Sequence, residues 1–173
     1  MNHSNSSSRT TIVHVHDSLQ DYTYELTAQE GDLASEFTPD LTPQEMLELG
    51  VFGGHYFENQ QDEFPVAWFQ HAKISNVHNP DMNYFAIDAS QTRSEWLKKG
   101  WIYKDDPRGW FQWYCRYYLG RRIPEEDDRQ IKRWKAMRRH VGQVMAACRP
   151  GDELCRRRQR QALLHWAYDS RRI

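Results

Sequence analysis

Asp106-Pro107-Arg108-Gly109-Trp110-Phe111-Gln112-Trp113-Tyr114-Cys115-Arg116-Tyr117-Tyr118-Leu119-Gly120 is the stretch on which the fold turns. Six of the ten residues from Trp110 to Leu119 are aromatic, so a helix here leaves no face free of large rings. A helix that is apolar all round is buried on most of its faces, which makes this one the expected centre of the core. Asp106-Pro107 reads as its start and Gly120 as its end.

Working toward the C-terminus, Pro124 precedes Glu125, Glu126, Asp127 and Asp128, four acids on the positive end of a long helix. Ile131, Trp134, Arg138 by its stem, Val141, Val144, Met145 and Cys148 recur at helical spacing as its core stripe. Pro150-Gly151 breaks it, and Asp152 caps a last helix running to about Asp169. Leu154, Cys155, Leu163 and Trp166 are expected to face the core, with Arg156, Arg157 and Arg160 turned outward. Working toward the N-terminus, Thr92 with Glu95 and Thr42 with Glu45 each spell a capping box, the second strengthened by Pro43. A helical turn or two is expected at 65–71. The β-branched run Thr11-Ile12-Val13-His14-Val15-His16 predicts a strand, and Tyr22-Thr23-Tyr24-Glu25-Leu26 a second.

The expected fold is therefore mainly α, an α+β chain with a small β element near the N-terminus, built as a compact helical domain with two long C-terminal helices. Residues 1–10, rich in Ser and Asn, are expected to form a disordered tail, and 11–173 a single globular domain. With 173 residues, 39% of them hydrophobic, and seven Trp, nine Tyr and seven Phe, the chain has the material for one sizeable core.

Charge divides that domain. Residues 1–100 carry 15 Asp/Glu against 5 Lys/Arg, a balance of −10; residues 101–173 carry 18 Lys/Arg against 9 Asp/Glu, a balance of +9. An acidic irregular half (11–100) thus precedes a basic helical half (101–173), and the near-neutral total conceals both. Fifteen of the later cations are Arg, whose planar fork grips carboxylates and phosphates and stacks on rings. The basic half wants an anionic partner.

Nucleic acid is the leading expectation, with Lys132, Arg133, Lys135, Arg139, Arg156, Arg157 and Arg160 neutralising phosphates. The alternative within the chain is that these arginines dock onto its own acidic half. Beside the aromatic helix, Trp113 and Tyr117 share a face near Arg116 and Arg121. With Arg108, they are the residues expected to stack a base and hold its phosphate. A small enzyme acting on a nucleotide-like or phosphorylated substrate at that helix, with Asp105, Asp106, His140 or His165 as acid–base groups, is the second function class. A protein-interaction module for an acidic partner is the third.

No cofactor is expected. Cys148 and Cys155, with Cys115 and His140, make a poor zinc set, because six intervening residues exceed the usual spacing of paired zinc cysteines. The odd cysteine count favours free thiols in a reducing compartment, hence a cytoplasmic location. His14 and His16 share one strand face, with His55, Glu58, His71 or Asp17 as further ligands, but alternation with Val13 and Val15 explains the pattern unaided. No run of about 20 apolar residues suggests a membrane span, and no Gly-rich phosphate loop, nucleophile elbow or His-Glu-x-x-His motif is present.

Overall fold

The computed structural model describes residues 10–57 and 61–173. The expected tail, apart from Thr10, and Glu58 lie outside the described residues. Two antiparallel strands, β1 (Thr11–His16) and β2 (Asp21–Leu26), form a hairpin with Val15 opposite Tyr22 and Val13 opposite Tyr24. Six helices follow among the described residues: α1 (Pro43–Glu48), α2 (Arg93–Lys98), α3 (Trp110–Leu119), α4 (Pro124–Ala136), α5 (Arg138–Ala147) and α6 (Arg157–Leu164). The mainly helical class with one small sheet is as expected. Short 3-10 turns occupy Gln61–Glu63, Val66–Phe69, Pro80–Met82 and Ser170–Arg172.

Local chemistry sets the helix ends. Both capping boxes form: Thr42 and Thr92 accept from the amides of Glu45 and Glu95, whose carboxylates accept from the cap amides in return. Helix α3 starts four residues later than Asp106. Gly109, at φ 96°, lies outside helical space, and the Asp106 carboxylate is spent inside the core rather than on a cap. At the other end Gly120 sits at φ 118°, and a Cβ there would meet the Ala28 carbonyl oxygen at 2.1 Å, so only glycine fits. The Gly120 carbonyl in turn accepts from the amides of Thr27 and Ala28, fastening the hairpin's exit to the end of α3.

Helices α4 and α5 run into one another through Met137, which keeps right-handed helical angles. The last helix is shorter than the sequence suggests. Asp152 turns the chain locally by accepting from the Leu154 and Cys155 amides, and Arg156 takes the left-handed φ of 51°, so α6 begins only at Arg157. Two further expectations fail here: Met145 and Leu154 are 62% and 78% exposed rather than in the core. Cys148 and Cys155 are joined as a disulfide across this turn, which corrects the expectation of free thiols; Cys115 alone is free, and buried.

The core is organised around a ring the sequence did not single out. Phe37, from the irregular acidic half, lies 5.0–6.3 Å from the ring centres of Trp110, Trp113, Tyr114, Tyr117 and Trp134. Most of these contacts are edge-on, the arrangement aromatic quadrupoles favour. Trp113 is fully buried and donates its indole N–H to Asp127 at 2.8 Å, tying α3 to the first turn of α4. Tyr114 donates to the Leu41 carbonyl and Tyr168 to that of Trp134.

Beside this apolar centre lies a buried ionic one. Asp106 accepts through both carboxylate oxygens from two arginines: Arg121 at 2.8 and 2.6 Å, and Arg116 at 2.9 Å. Arg116 reaches on to Glu63 at 2.6 Å and to the Gln20 side chain at 2.8 Å. Tyr22 and Tyr24 of β2 lie over both guanidinium groups. Two cations and two anions thus cancel with their side chains almost wholly buried.

Removing the Asp106 charge leaves Arg121 buried without a carboxylate and two cations facing the single Glu63. Asp106→Asn should lower the unfolding free energy by about 3–5 kcal/mol, the usual consequence of breaking a buried ion pair. Phe37→Ala should also cost about 3–5 kcal/mol through the cavity it opens. Urea unfolding followed by tryptophan fluorescence measures both; a decrease under about 1 kcal/mol at either position would show that the core does not hang on it.

Candidate functional site

A cleft of about 190 Å³ opens between α2, the start of α3, α4 and the end of α6. Its walls are aromatic: Phe52, Tyr56, Trp96, Trp101, Trp110, Phe111 and Trp166. The polar groups entering it are Ser90, Gln91, Arg133 and His165. The Thr92–Glu95 capping box fixes the start of α2 and so places Trp96 over Gly109, where the missing side chain lets the indole approach. Helix α3 contributes Trp110 and Phe111, and the turn after α6 brings Trp166 to 4.9 Å from Trp110. Trp101, 37% exposed, stands at the mouth.

Arg133 governs the electrostatics. From α4 its guanidinium lies 5.7 Å from the Trp101 ring centre and 5.2 Å from that of Trp166. It donates to Gln130 Oε1 at 2.9 Å and to the Trp101 carbonyl at 3.2 Å, both neutral acceptors. No ion pair links it to a carboxylate among the described residues; the nearby Glu126 is committed to Arg129 and Gln130. Burial, with the Arg129 charge added and the Glu126 charge offsetting part of both, pulls its value down to about 10, so it stays charged at neutral pH.

His165 is the second ionisable group of the cleft. Its Nδ1 lies 3.4 Å from Ser90 Oγ, its Nε2 3.2 Å from Gln161 Nε2, and its ring 5.0 Å from that of Phe52. Burial depresses it to about 4. A neutral ring of such low basicity is a poor acceptor for a serine proton, since a general base works best near the operating pH.

The residues singled out in the sequence scatter. Arg108, Trp113, Arg116, Tyr117, Arg121 and Arg160 are all buried, each less than a tenth exposed. Arg116 and Arg121 belong to the ionic core. Arg108 lies 3.6 Å from Asp17 and donates to the Tyr56 carbonyl. Arg160, expected outside, is fully buried and donates to the carbonyls of Cys155, Ser170 and Ile173. Trp113 and Tyr117 face Phe37 rather than a ligand, so the edge of α3 that meets open space is instead its first turn, Trp110 and Phe111. Lys132, Arg139, Arg156 and Arg157 are exposed as expected. Arg156 and Arg157 line a shallow groove with Arg158, which Lys132 and Arg139 do not join.

The other candidates resolve similarly. Asp106 is locked by two arginines, and His140 Nδ1 lies 2.9 Å from the Gln159 amide nitrogen. The disulfide removes Cys148 and Cys155 as thiolate ligands. His14 and His16 are exposed, His14 contacting Thr23 at 2.9 Å and His16 approaching Asp21 at 4.0 Å. No group of three metal-ligating side chains occurs among the described residues. Likewise, no helix among them is long and apolar enough to cross a membrane. Comparison with protein-family models, curated proteins and solved structures finds no match.

The low value of His165 makes stability depend on pH. Its ordinary value is 6.5, so between about pH 6.5 and 4 the unfolded chain binds a proton that the folded chain refuses. The stabilisation is full above that range and is lost as pH falls through it, at up to about 1.4 kcal/mol per pH unit. Thermal melting from pH 7.5 to 4.5 should show a steeper decline for the native chain than for His165→Gln; parallel curves would refute the assignment.

Proposed function

We propose that this chain binds an anionic ligand carrying a flat aromatic ring, of the nucleotide type, with the ring in the cleft beside α3 and the anion on Arg133. The observation that carries the reading is Arg133 itself: a half-buried guanidinium over two indoles, with no carboxylate partner among the described residues. Leaving such a charge desolvated and unpaired costs stability, and that cost is recovered when an anion binds. The tryptophan walls match a base, because stacking on indole is favourable for any π-face. Nucleic acid, the leading expectation from charge, supplies this chemistry, and so does a free nucleotide.

Catalysis on the same ligand is the second reading, favoured by the 3.4 Å approach of Ser90 to His165 inside the cleft. The depressed basicity of His165 ranks it below simple binding. An acidic protein partner ranks third, since part of the basic half already meets the chain's own acids through Arg116–Glu63, Arg108–Asp17 and Lys135–Glu36. The Cys148–Cys155 disulfide weighs against the cytoplasmic setting expected from the odd cysteine count. Alkylation in fresh denatured lysate followed by mass spectrometry reads this directly: three labelled cysteines support the cytoplasm, and Cys115 alone an oxidising compartment.

Tryptophan-fluorescence titration with the four common nucleoside monophosphates tests the binding. Saturable quenching is expected with these and not with inorganic phosphate alone. Arg133→Met should weaken binding about tenfold or more, the worth of one charge-assisted contact, while leaving the melting temperature unchanged or higher. Trp101→Ala should weaken binding by about 1–3 kcal/mol, with little loss of stability because its ring stands at the mouth. Loss of affinity and of melting temperature in proportion at both positions would return the cleft to being mere core.

A further inference from the structure

The aromatic cleft does not end at its own walls. Ala89 and Ala162 line it, and the same two residues line the neighbouring surface groove that holds Arg156, Arg157 and Arg158. Because both junction residues are alanines, they raise no long side chain between the two spaces. The cleft, at about 190 Å³, suits a single ring system, whereas the groove, at about 560 Å³, is wide and open along the surface.

The groove's charge is uncommitted. Arg156, Arg157 and Arg158 are exposed, and no ion pair holds any of them among the described residues; Arg156 donates only to the Gln159 side chain. The two acids of the adjoining turn are occupied elsewhere: Asp152 accepts from the Leu154 and Cys155 amides, and Glu153 from the Tyr84 hydroxyl at 2.8 Å. The Cys148–Cys155 disulfide and the Arg160 bond to the Cys155 carbonyl brace the backbone that presents the three arginines. Three consecutive like charges repel one another, and a chain of anions, rather than one, relieves this. A single nucleotide with its ring in the cleft engages Arg133 and leaves the groove empty.

We infer that the ligand is a single-stranded nucleic acid, one base stacked in the aromatic cleft and the adjoining phosphates running across Ala89 and Ala162 onto Arg156, Arg157 and Arg158. This rests on the cleft reading proposed above and extends it from a nucleotide to a strand. A duplex fits poorly, since its bases are already stacked and cannot enter the cleft without being unpaired. Sequence preference is weak on this account, because stacking accepts every base and phosphate contacts carry no sequence information.

Fluorescence anisotropy with a labelled 12-nucleotide mixed-sequence strand, as DNA and as RNA, is compared with titration of the nucleoside monophosphates, on the full chain. At least one of the two strands is expected to bind at least about tenfold more tightly than any monophosphate. Replacing Arg156, Arg157 and Arg158 together by Gln should weaken strand binding about tenfold or more. It should also flatten the slope of log affinity against log salt by roughly 0.7 for each phosphate that is no longer neutralised. The same variant should bind the monophosphates within about twofold of the native chain, and circular dichroism verifies its fold. Arg133→Met should weaken both ligands. Neither strand exceeding the monophosphates, a duplex of the same sequence binding as well as a strand, or poly-glutamate binding as well as a strand would each overturn the inference while leaving the cleft reading intact. Failure of the monophosphates and both strands alike would overturn the cleft reading itself.

Discussion

Beside the aromatic core, the structure depends on a buried charge cancellation. Asp106 stands between Arg116 and Arg121, and Arg116 passes the remaining charge to Glu63, all four almost wholly buried. Removing four ions from water is expensive, and the geometry returns that cost through short charge-assisted bonds on nearly every available atom. The network also decides topology. It joins the loop before α3, the last turn of α3, the second residue past its end and a 3-10 turn from the acidic half, with the β-hairpin laid over it through Tyr22 and Tyr24. Burial and the neighbouring Glu63 charge both raise Tyr24 above its ordinary range, keeping it protonated as the donor to Glu63 at 2.8 Å.

That network changes the meaning of the opposed charges of the two halves. Part of the arginine excess is structural: Arg108, Arg116, Arg121 and Arg160 are interior residues whose bonds are made within the chain. What remains for a partner is narrower and better defined. Arg133 at the cleft and Arg156 to Arg158 in the groove are cations that line an open space and have no carboxylate partner among the described residues. The first is held in place by Gln130 and two indoles, and the second set stands on backbone that a disulfide ties to the end of α5.

The same logic separates the core aromatics from the cleft aromatics. Along α3 the rings differ little in composition, yet Trp113 and Tyr117 close around Phe37 while Trp110 and Phe111 border open space. What completes the cleft comes from distant segments: Trp96 on α2, Trp101 in the following turn and Trp166 after α6. Trp101 opens the aromatic-rich stretch that continues through Tyr103 into α3, whereas Trp96 and Trp166 lie outside it, and no local signal pointed to those two. A weaker clue was present, in that Gly109 sits directly before the aromatic helix and leaves room for the Trp96 indole.

Local rules were legible where they act within a few residues. The sequence alone determined both capping boxes, the strand Thr11–His16, the Gly120 stop and the helical class, because a cap, an alternation or a missing Cβ is settled by neighbours along the chain. The burial of α3 followed from its rings alone. Only the tertiary structure decided which arginines are inside, that Phe37 is the hub of the core, that Cys148 and Cys155 pair and that Trp101 rather than Trp113 faces a cleft. Each of these depends on what a distant segment brings into contact. An Arg side chain carries the same charge inside or outside, and its place is fixed by whether a buried acid such as Asp106 or Glu63 arrives to meet it.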